Sequence, residues 1–519
     1  MTATDHRSTA EPQSRAPEPP AGRAVSRTGS GVAVRLERLA PGIAGRLPMD
    51  VAEAFRDLPG LAVLESARPG RRSRWSYVTA DPIAVLDGPS EGADPFAAAR
   101  RLVGRLAADP VDTADPVDTA ETSADQPPFL GGLVGFIGYD LGLALSPRRT
   151  VASDDQGLPL LRLALHDWVL AWDRRTGAAW LGGRAADGDA AALERRLAAV
   201  RERLTALEAG RITRPRDGEG AAGPLSDAPL EFVSNLSRAT FERGVETVRD
   251  AIARGLIYQA NLTRRLETPY RSDPWPLYRC LRTGDPALFS AFLDLGPGGL
   301  DRGPRGIASA SPEPFLEVDA TGHVSTDPIK GTRRRGRERD EDRALAADLL
   351  GSAKDRAENT MIVDVLRNDL GRVCRPGTVR VPRLCRLERT AAVQHLVSTV
   401  TGRLATGRDA FDLLAASFPG GSITGAPKLR AMEILEDLET VRRGPYTGAL
   451  GWIGPDGAMA TSILIRSFVA DGRRLSLNVG GGMTWRSDPA AEWDETVAKA
   501  RGPLDAIGGR EIGGREIGG

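Results

Sequence analysis

Thr326-Asp327-Pro328-Ile329-Lys330-Gly331-Thr332 presents one amine at the end of a strand-like run, with Pro328 stiffening the chain before it. Flanked by Ile329 and a glycine, Lys330 is badly placed to reach back into water and well placed to be aimed. Aimed lysines do covalent chemistry. To attack an electrophile at neutral pH this one must shed its proton more readily than a free lysine, through desolvation or a cationic neighbour. Arg333, Arg334 and Arg335 could be that neighbour. An ordinary surface lysine in a basic turn fits the same residues, so the rest of the chain has to decide.

Carboxylates that could serve such an amine lie on two helical stretches. Glu358 shares a helical face with Ile362, Val365 and Leu366, so it points where the apolar side chains point. Ionised there, it needs a cation or strong donors. Lys354, one turn earlier, could instead pair with it at the edge of the stripe. Glu492, Glu495 and Lys499 also share a face, and two like charges invite something positive between them. A hard ion such as Mg2+ suits carboxylates from two helices that leave room for substrate oxygens. A solvated acidic face with Glu495 and Lys499 paired would satisfy the same spacing.

Just ahead, Asn478-Val479-Gly480-Gly481-Gly482 ends a strand in three glycines, where backbone N–H groups can approach an anion closely or the chain can simply turn. Phe418 to Lys428 is a Gly-rich loop feeding a helix that Pro427 helps to start, and free amides there suit a carboxylate. Ala426-Pro427-Lys428 replaces the Lys-Ser/Thr of a phosphate-binding loop, which excludes a nucleotide site. Arg466 sits mid-strand in Ile463-Leu464-Ile465-Arg466-Ser467-Phe468. A guanidinium among apolar neighbours wants a carboxylate, internal or from a ligand.

The elements that must position these residues come from a chain of 519 residues, enough for two or three domains or one large two-lobed body. Lys plus Arg number 69 and Asp plus Glu 69, so nothing suggests nucleic acid or anionic lipid as a partner, and a small molecule fits better. Cys280, Cys374 and Cys385 lack CxxC spacing, which argues against zinc and disulfides and reads as cytoplasmic. No apolar run is long enough for a membrane span.

Residues 1–30 read as a disordered tail, 31–209 as an amino-terminal segment with an acidic loop insert at 109–128, and 210–230 as a linker. The region 231–503 carries the chemistry, and 504–519 reads as a Gly-rich flexible tail. Within the first segment, 61–66 and 73–78 form a hairpin, a helix starts at Asp94, and Leu161 to Leu181 is a second hairpin. A helix follows over 189–209. Later, a helix opens at Ser237, a strand puts Gln259 and Asn261 on one face, and helices cover 340–350 and 353–369. Tyr446 to Val479 is a strand meander, and a last helix runs over 489–500. Strands and helices without βαβ rhythm make the fold α+β with large antiparallel sheets.

From about Leu236 to Arg501 the chain resembles the chorismate-utilising enzyme family. The motifs are Ser309-Ala310-Ser311-Pro312-Glu313-Pro314-Phe315, the Pro-Ile-Lys-Gly-Thr run, Glu358 through Asp364 with Arg367-Asn368-Asp369-Leu370-Gly371, His395-Leu396-Val397-Ser398, Gly-Ala-Pro-Lys, and Ser487-Asp488-Pro489 through Lys499. The first half is similar more weakly, through Leu64-Glu65-Ser66 and the run ending at Tyr139. The resemblance implies an α/β sandwich of two large antiparallel sheets with helices outside. It implies Mg2+ held by Glu358 and Glu495, helped by Glu492, against the ring carboxylate of chorismate. Arg466, Tyr446 and the amides of Gly480, Gly481 and Gly482 would hold the enolpyruvyl end, with Thr424, Gly425 and Thr332 also at the substrate. Glu313 looks like the acid for the departing C4 hydroxyl, and Lys499 and His395 fall with the catalytic residues.

Members that use water have a lysine where this chain has Gln259, so the resemblance points to ammonia. Lys330 stands where relatives that aminate C2 usually carry alanine, which implies amination at C4 through a covalent Lys330 intermediate. Amination at C2 is the competing outcome, and a non-catalytic chorismate-binding regulatory subunit is the alternative of another class. None of the three cysteines lies in a glutaminase Gly-x-Cys-x-Gly elbow, so ammonia is expected from a separate glutamine amidotransferase subunit or from free ammonium. Glu65 and Ser66 resemble the family's tryptophan-binding segment, inhibitory in some members and structural in others.

Overall fold

Two sheets carry the chain, and each is built from both halves of the sequence. The computed structural model describes residues 34–106, 126–147, 149–211, 228–299, 301–390 and 393–514. The 13-stranded sheet runs from Val34–Arg38 through Ala179–Arg184, Trp168–Asp173, Trp75–Thr79 and Ala62–Glu65 to Phe289–Pro297. It continues through Pro304–Ser311, Ser467–Ala470, Arg474–Met483, Gln259–Pro269, Leu230–Ser234 and Gly509–Gly514, with Gly425–Ala426 also on Gln259–Pro269. The 10-stranded sheet centres on Pro314–Val318, Met459–Ile463 and Ala449–Ile453, with Gly132–Ile137, Leu161–His166 and Ala84–Asp87 on one side. On the other lie His323–Thr326, Val393–Arg403, Ile329–Arg334 and Arg380–Arg389.

Tyr77, Val169, Ile307 and Val469 of the first sheet pack against Val134, Phe136, Leu450 and Trp452 of the second, so one apolar layer lies between the sheets. Helices cover the outer faces. The helices Ala190–Glu208 and Pro274–Gly284 lie on the first sheet, and Ala353–Gly371 and Ala410–Ser417 on the second. The architecture is therefore the expected α+β sandwich, and its ladders are antiparallel except Gly509–Gly514 on Leu230–Ser234.

Four expectations need correction. Leu161 to Leu181 is not confined to one hairpin, because Leu161–His166 belongs to the second sheet and Trp168–Asp173 to the first. Asp167 makes the crossing alone and is held there by Arg196 at 2.9 Å. Tyr446 to Val479 likewise changes sheets between Met459–Ile463 and Ser467–Ala470, so Arg466 is not mid-strand but at the crossing, with φ 51°. The expected helix at Asp94 begins at Ala97. Alternation reports which face a residue takes and is silent about which sheet.

The fourth concerns the carboxy-terminal tail. The last helix runs through Pro489–Ala506 rather than stopping at 500, and Gly509–Gly514 is an ordered strand, so 504–514 is not a flexible tail. Arg264, buried in the first sheet, donates to both carboxylate oxygens of Glu511 at 2.6 and 3.1 Å and stacks on Trp493. Residues 1–30, most of 109–128, most of 210–230 and 515–519 lie outside the described residues. Glu511→Ala should lower unfolding stability by about 3 kcal/mol in a denaturant titration, because Arg264 is left buried without its carboxylate. An unchanged midpoint would contradict that docking.

Candidate active site

Lys330 is aimed by a defect in its own strand. Along Ile329–Arg334 the pairing with Val393–Arg403 slips between Lys330 and Thr332, and Gly331 takes φ 70° at the slip. Such a bulge turns the neighbouring side chain out of the pleat. A β-carbon on Gly331 would run into Asp355 and Leu349, so glycine is required on two counts. The strand is tied down at its start. Buried Asp327 is paired with Arg71 and Arg72 of the amino-terminal hairpin turn, and Asn359 donates to the carbonyls of Pro328 and Leu396 at 3.5 and 3.3 Å.

The three following arginines do not activate the amine. Arg333 pairs with Asp348 and Asp355, Arg334 with Glu341 and Arg335 with Asp342, all on the helical side of the strand. Lys330 instead reaches the glycine-rich loop, donating to the Ser422 carbonyl at 3.4 Å. A β-carbon on Gly482 would stand 3.7 Å from the Lys330 ammonium and collide with the Gln259 side chain. Gln259 is fully buried, and neither end of its amide has a partner among the described residues. Lys330, Gln259 and Gly482, all singled out in the sequence, are thus brought together, with Ser422 joining them from the loop.

Carboxylates close around this group. Glu313 keeps some exposed surface, yet its carboxyl is enclosed. Desolvation pushes its pKa up, against the pull of Lys330, a hydrogen bond with Ser422 and the charge of Lys499. Glu358 is also pushed up by desolvation, opposed by Lys330 and by Lys354 at 3.9 Å and aided by Asp355 and Glu492. Its buried Oε1 has no hydrogen-bond partner among the described residues. Glu492 is buried, is raised by desolvation and by Glu495, and accepts from Ser487 at 2.5 Å. Burial pushes Glu495 upward too, but Lys499 at 2.7 Å, with Lys354 and Lys330 behind it, brings it below the usual value.

Among the described residues no three acidic or imidazole side chains converge tightly enough to hold an ion unaided. The donor set still suits a hard cation: oxygen ligands on two helices, an orphaned buried oxygen on Glu358, and repulsion among the acids that a cation would relieve.

The glycine strand supplies amides, two of the three expected. Asn261 and Thr263 turn their N–H groups away from it, to the Thr424 carbonyl at 2.8 Å and Glu439 at 3.1 Å. Gly482 and Gly480, opposite them, are therefore the non-bonded pairs of the ladder and face outward, while Gly481 pairs with Leu262. Ser467–Ala470 covers this side only as far as Leu477, which leaves both amides open. Lys499 donates to the Gly480 carbonyl at 2.8 Å.

The remaining residues divide. Arg466 is exposed and its guanidinium has no partner among the described residues; its charge helps lower His395 to about pKa 4, after burial as the larger cause. His395 meets Thr332 at 2.8 Å through Nδ1. Thr424 spends its hydroxyl on the Gly420 carbonyl at 2.9 Å, and Gly425 at φ 149° packs against Gln259–Pro269, so both shape the loop. Tyr446 is buried, its hydroxyl pushed up by desolvation beside Arg443 and Glu439. Glu65 and Ser66 line a separate cavity between the sheets with Trp75, Tyr77 and Trp452. There Glu65 accepts from Tyr278 at 2.5 Å and Ser66 donates to the Trp75 carbonyl at 2.8 Å.

Sequence reasoning missed the supports. Ser422 links Glu313 to the loop that holds Lys330. Buried Arg443 grips Glu439 at 2.7 Å, the Ile423 carbonyl at 2.9 Å and the Asn261 carbonyl at 2.6 Å, fixing the loop to the central strand. The four-residue spacing of Glu439 and Arg443 was the only signal, although the helix Lys428–Leu438 ends before both.

Residues 65–505 match the model of the chorismate binding enzyme family, and the chain belongs to it. It is 39% identical over 444 residues to anthranilate synthase component 1 of Streptomyces coelicolor, covering 84% of this chain and 81% of that one. It is 37% identical over 431 residues to aminodeoxychorismate synthase component 1 of Salmonella typhimurium, covering 82% and 88%. The crystal structure of anthranilate synthase component I from Streptococcus pneumoniae superposes with a TM-score of 0.68 at 29% identity, over 84% of this chain and 93% of that one. No helix among the described residues is long and apolar enough to cross a membrane.

Because the folded-state pKa of Glu313 is raised, its contribution to stability is complete below the unfolded value of about 4.3 and is lost as pH rises through the folded value. Glu313→Gln should therefore raise Tm at pH 8 and leave it unchanged at pH 4. Equal shifts at both pH values would show that the carboxyl is not the strained group.

Proposed function

We propose that this protein is an aminodeoxychorismate synthase component I, converting chorismate and ammonia to 4-amino-4-deoxychorismate. The observation that carries the reading is Lys330, set by the Gly331 bulge beside Gln259, Glu313 and the glycine strand rather than in solvent. The Lys330 amine attacks C2 of the ring. Both ring double bonds shift and the C4 hydroxyl leaves as water with a proton from Glu313, whose carboxyl desolvation pushes toward the protonated form. Ammonia then enters at C4, both double bonds shift back, and Lys330 is expelled. Gln259, neutral where a base would activate water, favours ammonia.

Mg2+ held by Glu358 and Glu495, with Glu492 behind them, would supply positive charge against the ring carboxylate. The unpaired guanidinium of Arg466 and the outward amides of Gly480 and Gly482 suit the enolpyruvyl carboxylate. Names of relatives as component 1 support a separate subunit that supplies ammonia from glutamine, and a cytoplasmic setting agrees with three buried cysteines that form no disulfide. The second reading is anthranilate synthase component I, favoured by the 39% identity to the Streptomyces coelicolor protein.

Incubation with chorismate, Mg2+ and ammonium should give 4-amino-4-deoxychorismate by mass spectrometry, with no fluorescent anthranilate. Lys330→Ala should lower that product by about 100-fold or more while chorismate still binds. Anthranilate as the main product of the wild type would decide for the second reading. Chelation of divalent ions should stop the reaction, with activity returning on Mg2+ addition. Full activity in excess chelator would remove the ion from the account.

A further inference from the structure

Three large apolar side chains stand in solvent next to the site. Tyr258 is 72% exposed, Trp485 64% and Leu429 52%. They are distant in sequence, but the ladders gather them. Ala260 pairs with Met483 and Gln259 with Ala426. Tyr258 stands two residues before Ala260 and Trp485 two residues after Met483, in the turn that follows that strand, while Leu429 lies in the first turn of the helix Lys428–Leu438, three residues beyond Ala426. Tyr258 is fixed there by its own amide, which donates to the Ala426 carbonyl at 2.7 Å. Arg486 stacks on Trp485 at 4.7 Å.

The next residue along the central strand, Gln259, is wholly buried beside Gly482 and Lys330. One peptide unit therefore separates the exposed patch from the place where ammonia is used. Ammonia cannot be made from glutamine by this chain's thiols, since Cys280, Cys374 and Cys385 are all buried. A subunit that delivers it has to seat at this rim. Exposed Tyr and Trp beside Arg are the residue types that dominate the centres of protein interfaces. Arg486 is exposed beside Trp485, whereas Arg430 on the neighbouring helix is paired with Glu433 at 2.6 Å.

We infer that Tyr258, Leu429 and Trp485 form the docking surface for the glutamine-hydrolysing subunit that supplies ammonia to the site. The inference rests on the function proposed above, and the two are tested apart. The full chain is titrated with the glutamine amidotransferase subunit of its own source organism, and association is read by calorimetry. Tyr258→Ser and Trp485→Ser should each weaken association by roughly tenfold or more. Glutamine-dependent amination should fall in parallel, with the ammonium-dependent rate unchanged as proof of folding. Leu384→Ser, at a 45% exposed residue on the strand Arg380–Arg389, should change none of these.

Unaltered association in both aromatic variants overturns the docking surface, as does a wild type that fails to bind the subunit. Dissociation of a self-associated chain by the same variants, with partner binding intact, assigns the patch to a second copy and overturns it too. Absence of the ammonium-dependent reaction in the wild type would instead strike the functional reading, while association still reports on the surface.

Discussion

An amine enclosed with carboxylates whose charges oppose one another is the constraint on which the structure depends. Desolvation raises Glu313, Glu358 and Glu492, and Lys330, Lys354 and Lys499 are the cations that answer them. Left alone, such a group would neutralise itself by taking up protons. It persists because each member is held by a different element: a strand bulge, a loop, and two helices that could not otherwise share a pocket. A divalent ion and a dianionic substrate would complete the charge balance that the protein leaves open.

The sandwich exists to fix those elements against each other. Among the described residues the amino-terminal half contributes no side chain to the reacting cluster, yet Arg71 and Arg72 hold Asp327 two residues from Ile329. From the opposite side, Arg443 and Glu439 bind the glycine-rich loop to the central strand. Buried ion pairs of this kind cost desolvation and return geometry. Their place here is behind the site, where a shift of the loop would move Ser422 and with it the Lys330 contact.

Much of the site was legible because chemistry leaves unusual residues in ordinary patterns. Lys330 before Gly331, Glu358 on an apolar stripe and three glycines in a row each break a local rule, and the structure brings Lys330 close to Gly482 and within electrostatic reach of Glu358. What the sequence hid was long-range. The crossings at Asp167 and Arg466 continue the same alternation while changing sheets, so periodicity could not register them. The tail at Gly509–Gly514 looks like low-complexity glycine, and its order comes from partners more than two hundred residues earlier, the strand Leu230–Ser234 and the buried Arg264. The expected help from Arg333 to Arg335 failed because each of them is taken up by an acidic partner on the two helices beside the strand, which no local pattern announces.

The central claim is that the Lys330 amine forms a bond to the substrate ring. Intact-protein mass spectrometry after incubation with chorismate and Mg2+, in the absence of ammonia, tests it most directly. The account predicts a mass increase equal to chorismate less one water, located by peptide mapping to Lys330 and discharged on adding ammonium. An active enzyme that shows no adduct, or carries one on another residue, would contradict it.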